Sequence, residues 1–539
     1  MVCVVPPAPV DAGPIALRPV PAAPATRRGA WWVAPLVAVG IATVGVALGW
    51  RGVDLPAQLY RVALFHRNGL TLWDSQWYGG HWTLDYSVLF SPIAGTVGVG
   101  PTAVACAGLA AGAFDRLVNR HFGATARVGS LVFALGTGVQ LAIGQLPFLM
   151  GEAFGLAACW AAVTRRWPMA IALGVATSLA SPLAGAFLVL GALAWLVAAW
   201  HERRLGPALM MLAAAAPVGV CTVVFPGQGF FPYPVGDFMF EFCACAVMWV
   251  LVPRRERALR VAVDLYIVAT VVSFVLPSAV GGNVGRLGEC VAIPLAACVL
   301  WPRRRWLLVA LALPMALWQW APAWASMTDQ ISRDPSTQQG YYAPLVSFLQ
   351  RHGEPIGRVE VVPTRYHWEA VYVAPTVALA RGWERQLDTA DNPIFYDTEQ
   401  LGPASYRAWL TANGVRYVAL PDAPLDSAGL AESSLVSAGV PGLRQVWHDA
   451  HWRVYKVTRS PGIVSGPAHL VSLRGGNVTL EMITAGTAFV RVHYNTRWTV
   501  VSGAGCVHGT PDHWTAVNAA APGRLVLELR LVPSAASRC

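Results

Sequence analysis

The chain has 539 residues, 55% hydrophobic and only 13% charged, whereas an average soluble protein is about a quarter charged. That excludes a wholly soluble globular protein and points to an integral membrane protein with soluble mass attached. The net charge of +10 rests on arginine, with Lys456 the single lysine, and in so apolar a chain it belongs to loops obeying the positive-inside bias, not to a nucleic-acid surface.

Residues 1–29 are rich in Pro and Ala and end in Arg27 and Arg28, which predicts a disordered cytoplasmic tail. The first apolar run, Ala30 to Trp50, is long enough to span and lacks a clear small-residue cleavage site, so it reads as a retained anchor. Further apolar runs predict spans near 91–113, 126–143, 147–164, 168–180, 182–200, 206–225, 236–252, 260–279, 288–301 and 306–321, about eleven in all. Arginine clusters at 115–121, 165–166, 201–204, 253–257 and 303–305 fall on alternate loops. With the N-terminus inside, all five are cytoplasmic, and the loops at 51–87, 144–146, 181, 226–235 and 280–287 are external. The break at Ser181 and Pro182 leaves 168–200 open between two short spans and a span with a re-entrant piece.

From Pro322 charged residues become frequent and no further run is long enough to span. Residues 322–341 read as a linker. Residues 342–459 mix strand-like runs (358–363, 415–420, 452–457) with helix-like ones (342–351, 403–413), which predicts a small α/β domain. From Ser460 the alternation has period two, with strands expected at 468–473, 477–482, 487–494, 498–502 and 524–531, a small β-sandwich over 460–539. The expected fold class is thus an α-helical polytopic membrane protein with two extracytoplasmic C-terminal domains.

The stretch from Leu72 to Phe90 holds two carboxylates (Asp74, Asp85), one imidazole (His81) and the aromatics Trp73, Trp77, Tyr78, Trp82 and Tyr86, broken by Gly79 and Gly80. An acidic, aromatic loop at a bilayer surface suits chemistry on a lipid-linked substrate, and equally an interfacial anchor. Leu72–His81 (LWDSQWYGGH), followed by Asp85–Pro92 (DYSVLFSP), resembles the first external loop of GT-C type membrane glycosyltransferases. It is most similar to bacterial relatives known as 6-pyruvoyl-tetrahydropterin-synthase-related membrane proteins. Gly144–Gly151 (GQLPFLMG) and Gly281–Leu287 (GGNVGRL) are similar to the same group.

The resemblance implies a GT-C-like enzyme that takes a sugar from a polyprenyl-phosphate donor on the outer face, with Asp74 as base or as holder of a divalent metal ion. An inverting transfer needs a base near the acceptor hydroxyl and positive charge near the leaving phosphate. Asp74 and Asp85 are the candidate catalytic carboxylates. Arg286, in an outer loop otherwise short of basic residues, can take the phosphate bidentately or pair with a carboxylate. His81, Trp77, Tyr78, Asn283 and Glu152 are further substrate-binding candidates, Glu152 because a carboxylate within a span faces a cavity or a partner. The expected partners are a polyprenyl-phosphate-linked sugar, membrane lipids and an envelope glycan or glycolipid acceptor, in an actinobacterial-type envelope; the cofactor is unknown apart from that divalent ion. The alternatives are a catalytically silent GT-C-fold scaffold in envelope assembly, or a lipid or solute transporter. Arg381–Asp388 (RGWERQLD), dense in charge and Trp, either contacts glycan or packs its domain onto the membrane part.

Seven cysteines lie in apolar runs as small hydrophobes. Cys506 and Cys539, the two that follow Pro322, are expected to form a disulfide in an exported domain.

Overall fold

The computed structural model describes residues 31–198, 204–227, 229–301, 304–331, 334–352, 357–397, 399–534 and 537–539. The tail expected over 1–29 lies outside them. The first part of the chain is a helical bundle: α1 (Val33–Ala47), α2 (Leu55–Asn68), α3 (Phe90–Val97), α4 (Val99–Phe122), α5 (Arg127–Ile143), α6 (Leu146–Val163), α7 (Trp167–Ala180), α8 (Pro182–Ala198), α9 (Leu205–Val224), α10 (Val235–Leu251), α11 (Arg257–Val275), α12 (Arg286–Leu300) and α13 (Arg305–Ile331). Between α2 and α3 sits a short hairpin of β1 (Trp73–Asp74) and β2 (His81–Trp82). By length and composition α6, α9, α11 and the segment Gly281–Leu300 can each cross a membrane, and α3 with α4 makes a fifth if that bent pair is one span. This is the make-up of a multi-pass membrane protein. The helices approach closely where side chains are small: a Cβ added at Gly129 would stand 2.3 Å from Cys298 Sγ and 2.5 Å from the Pro294 carbonyl.

Two expectations shift. The run at 91–113 is split, because Gly98 takes φ 100°, which glycine tolerates, and α3 leaves α4 at 114°. The expected loop 51–87 contains α2, whose Tyr60, Arg61 and Leu64 are buried. Ser181 and Pro182 separate two helices, α7 and α8.

The connections alternate along the chain. Those at 48–90, 143–146, 179–181, 225–234 and 276–286 touch the first loop or the soluble domains. Asp54 N–H donates to the Ile143 carbonyl (2.9 Å), Val88 N–H to Leu179 (2.9 Å), Thr389 Oγ1 to the Phe230 carbonyl (3.0 Å) and Gln386 Nε2 to Ala279 (3.3 Å). The arginine-bearing connections lie between them in chain order, and two meet where His121 Nε2 is 2.8 Å from Glu256 Oε2.

Helix α13 continues to Ile331, through much of the expected linker, and α14 (Gln339–His352) opens the α/β domain. That domain adds β3 (Arg358–Val361), α15 (Glu369–Tyr372), α16 (Arg385–Asp391), α17 (Pro403–Ala412), β4 (Val415–Pro421), α18 (Ser427–Ala438), β5 (Leu443–His448) and β6 (Trp452–Val457). The sheet order is β3-β4-β6-β5, parallel only between β3 and β4.

The last domain is formed by β7 (Val464–Ser465), β8 (Ala468–Arg474), β9 (Asn477–Met482), β10 (Gly486–His493), β11 (Trp498–Ser502), β12 (Gly505–Gly509), β13 (Trp514–Ala519) and β14 (Gly523–Leu529). They build two four-stranded sheets, β12-β13-β10-β7 and β11-β14-β9-β8. Alternate residues such as Val478, Leu480 and Met482, or Leu525, Leu527 and Leu529, fill the space between them. Cys506 and Cys539 are disulfide-bonded with α-carbons 5.1 Å apart, tying the chain end to β12.

Candidate functional site

The hairpin is shaped by a turn in which Tyr78, Gly79 and Gly80 all have positive φ (56°, 78° and 121°). It pairs Trp73 with Trp82 and Asp74 with His81. Trp73 and Trp82 enter the core of the β-sandwich, while Trp77 and Tyr78 enter the core of the α/β domain with Tyr60 of α2. Backbone bonds fix the hairpin on both sides: Ser75 N–H to the Gly475 carbonyl (3.2 Å), Leu379 N–H to Gln76 (2.8 Å) and His493 N–H to Gly79 (2.9 Å).

This burial decides what the expected residues can do. Asp74 is fully buried; its Oδ2 accepts from the Tyr60 hydroxyl (2.6 Å) and its Oδ1 from Gln76 N–H (3.2 Å). Burial raises its pKa, against the opposing Tyr60 bond. Trp77 and Tyr78 are 0% and 1% exposed, Trp77 lies between Tyr60 and His81, and no face of either is open to a sugar. His81 is buried too; burial and then Arg61 push its pKa down to about 3, so the ring is neutral at physiological pH. Among the described residues no three His, Cys, Asp or Glu side chains converge as metal ligands.

A second, charged centre lies beside the hairpin, where α2, the approach to α3, the start of α12 and the α/β domain meet. Arg61 Nη2 is 2.6 Å from Glu384 Oε2, and the two side chains are only 7% and 10% exposed. The Arg61 guanidinium also covers the Tyr86 ring (4.0 Å), which Gln58 holds by a bond to its hydroxyl (3.1 Å). Arg61 Nη1 is buried without a hydrogen-bond partner, as is Asp85 Oδ1. Burial and then the nearby Glu384 carboxylate raise the Asp85 pKa well above the usual range, with Arg61 opposing. Glu384 is raised by burial, also against Arg61. Arg286 Nη2 stands 3.6 Å from Asp54 Oδ2, both partly exposed. The expected pair Asp74 and Asp85 therefore divides, Asp74 closed inside the hairpin and Asp85 in the charged centre with Arg61 and Glu384.

Two expected residues sit elsewhere. Asn283 is buried in the tight turn Gly281–Gly285 that leads into α12. Glu152 lies within α6, where its Oε2 accepts from Gln140 Nε2 (2.8 Å). Glu384 is the functional candidate that the sequence did not single out; the dense charge of residues 381–388 was its visible sign. No family model matches the chain, and no curated protein matches it.

Proposed function

We propose that the protein is a multi-pass membrane glycosyltransferase acting where the soluble domains meet the bundle, with Asp85 as its base. The helices α1 and α4 to α13 cross the bilayer, eleven in all, which puts the soluble domains on the outer face. In its ionised form, which the raised pKa confines to higher pH, Asp85 takes the proton of the acceptor hydroxyl, the freed oxygen attacks the anomeric carbon, and the bond from that carbon to the donor phosphate breaks. Arg61 and Arg286 receive the charge on the departing polyprenyl phosphate. Asp74 holds the hairpin and takes no part in proton transfer.

The observation that carries this reading is the pairing of a buried, unpartnered Asp85 oxygen with a buried, unpartnered Arg61 nitrogen in one charged centre. Other buried atoms also lack partners, Trp77 Nε1 and His81 Nδ1 among them; what sets this pair apart is that a carboxyl and a guanidinium share one centre. The test is transfer from a labelled polyprenyl-phosphate sugar in membranes containing the protein. Asp85→Asn should abolish transfer while the protein inserts normally; unchanged transfer would refute the assignment. The deep burial of Trp77 and Tyr78 favours a second reading, a silent scaffold of the same fold, which predicts no turnover in the wild type.

A further inference from the structure

The α/β domain reaches the charged centre through residues 381–385, which grip two bodies in turn. Arg381 is anchored in its own domain by Glu360 (2.8 Å) and Glu432, and Arg385 by a two-pronged contact to Asp426 (2.9 and 2.7 Å). The three residues between them hold the first loop. Gly382 lies against the Trp77 ring, where a Cβ would come within 2.4 Å. Trp383 Nε1 donates to the Val53 carbonyl (2.7 Å). Glu384 pairs with Arg61, and its N–H donates to the Tyr78 hydroxyl (2.9 Å).

His367 lies face to face on Trp383, with ring centres 3.6 Å apart and planes within 8°. Its φ of 55° is left-handed, a conformation costly for any residue with a side chain and retained only where the surroundings impose it. Its Nδ1 is 3.3 Å from Glu369 Oε1 and its Nε2 3.5 Å from Asp426 Oδ2, and the side chain is 4% exposed. The other charged groups facing it are Arg385 beside Asp426 and, from the first loop, Asp54 with its partner Arg286. Glu369 Oε2 is taken by Thr364 (2.7 Å) and Tyr342 (3.3 Å), leaving Oε1 for the imidazole.

We propose that His367 is a pH-operated latch: its imidazolium, held between Glu369 and Asp426, keeps Trp383 seated on the first loop, and loss of that proton frees residues 382–384 and withdraws Glu384 from Arg61 and Asp85. A cationic ring against an indole face is attracted by the ring quadrupole, and a neutral one loses that term and both carboxylate contacts. Burial alone lowers the His367 pKa, but Asp426 and Glu369 outweigh it and the net shift is upward from 6.5. A raised folded value means the latch is fully present below the unfolded value and is lost as pH rises through the folded one. As a docking device the latch stands on these contacts alone; as a regulator of transfer it rests on the Asp85 reading.

Hydrogen exchange of the full-length protein in lipid nanodiscs, followed by mass spectrometry, tests it without substrate. Corrected for intrinsic rates, the peptide covering 382–385 should lose about tenfold in protection between about pH 6 and about pH 9, a range that brackets the upper half of His titration. Peptides from β4 should keep theirs. His367→Gln should show the low protection at every pH, and Glu369→Gln should move the transition to lower pH because one of the two carboxylates is gone. His451→Gln, at a partly exposed histidine, should leave it in place. Wild-type protection that does not change with pH, or a transition that survives in His367→Gln, overturns the latch. β4 protection reports whether each variant is folded, and because the exchange readout needs no turnover, an Asp85→Asn protein that transfers at the wild-type rate while its transition is intact would sink the transferase reading alone.

Discussion

Asp74 and Asp85 are eleven positions apart and have opposite surroundings. Asp74 satisfies two donors at once, the Tyr60 hydroxyl and Gln76 N–H. In Asp74→Asn one of those contacts faces an amide N–H₂, and a buried polar group left unpaired costs about 1–3 kcal/mol. We expect a clear fall in the thermal midpoint of the detergent-solubilised protein. Asp85→Asn breaks no bond to Oδ1 and should leave that midpoint unchanged or higher. The pH dependence separates them further. The raised pKa of Asp85 means that the folded protein holds a proton the unfolded chain has already released, so its contribution makes stability fall as pH rises from the unfolded value toward the folded one. Thermal scans across that window should show a shallower decline in Asp85→Asn than in the wild type; an identical slope would show that the carboxyl is not the group that titrates. The sequence showed both residues but not which way each points. That depends on the turn pairing Asp74 with His81, and on Tyr60 from a helix the apolar pattern did not reveal.

At the scale of elements, the hairpin acts as a keystone with one indole pair in the sandwich core and one aromatic pair in the α/β core. Gly80 makes this possible: its φ is 121°, and a Cβ there would stand 2.5 Å from Trp73 Nε1. Gly80→Ala should destabilise by about 1–3 kcal/mol from backbone strain alone. Limited proteolysis should then cut between bundle and sandwich at protease levels the wild type resists; wild-type resistance would mean the hairpin can be reshaped at little cost. Most apolar helices and sandwich strands could be read from periodicity because their pattern is uninterrupted. Helix α2 could not, since Gln58, Arg61, His66 and Arg67 break its apolar run and its buried face meets the soluble domains. Strands β12 and β13, with Gly, Cys, His and Asn among their residues, give a weak alternation, and β1 and β2 are two residues each, too short for any periodic signal. The charged centre was harder still, because Arg61 and Glu384 are 323 positions apart and only tertiary packing joins them.

Across the whole molecule, arginine-bearing connections alternate in chain order with those that touch the first loop or the soluble domains. If the bundle spans a bilayer, the positive-inside bias puts the first set in the cytoplasm and the second set outside. Single cysteines introduced at Arg255 and Arg304 should therefore react with a membrane-impermeant reagent only after the membrane is opened. A cysteine at the exposed Leu430, on α18 of the α/β domain, should react in intact cells. The Cys506–Cys539 bond offers a chemical check on the same assignment. It closes a loop of 33 residues, which the chain-entropy model values at about 4 kcal/mol, and such a bond persists only in an oxidising compartment. Non-reducing peptide mapping of protein taken from intact cells and alkylated at once should recover the two residues as a linked pair. Two alkylated thiols, together with labelling of the Leu430 position only after permeabilisation, would put the soluble domains inside. The charged centre would then face the cytoplasmic leaflet, and a polyprenyl-linked donor on the outer face would be out of its reach.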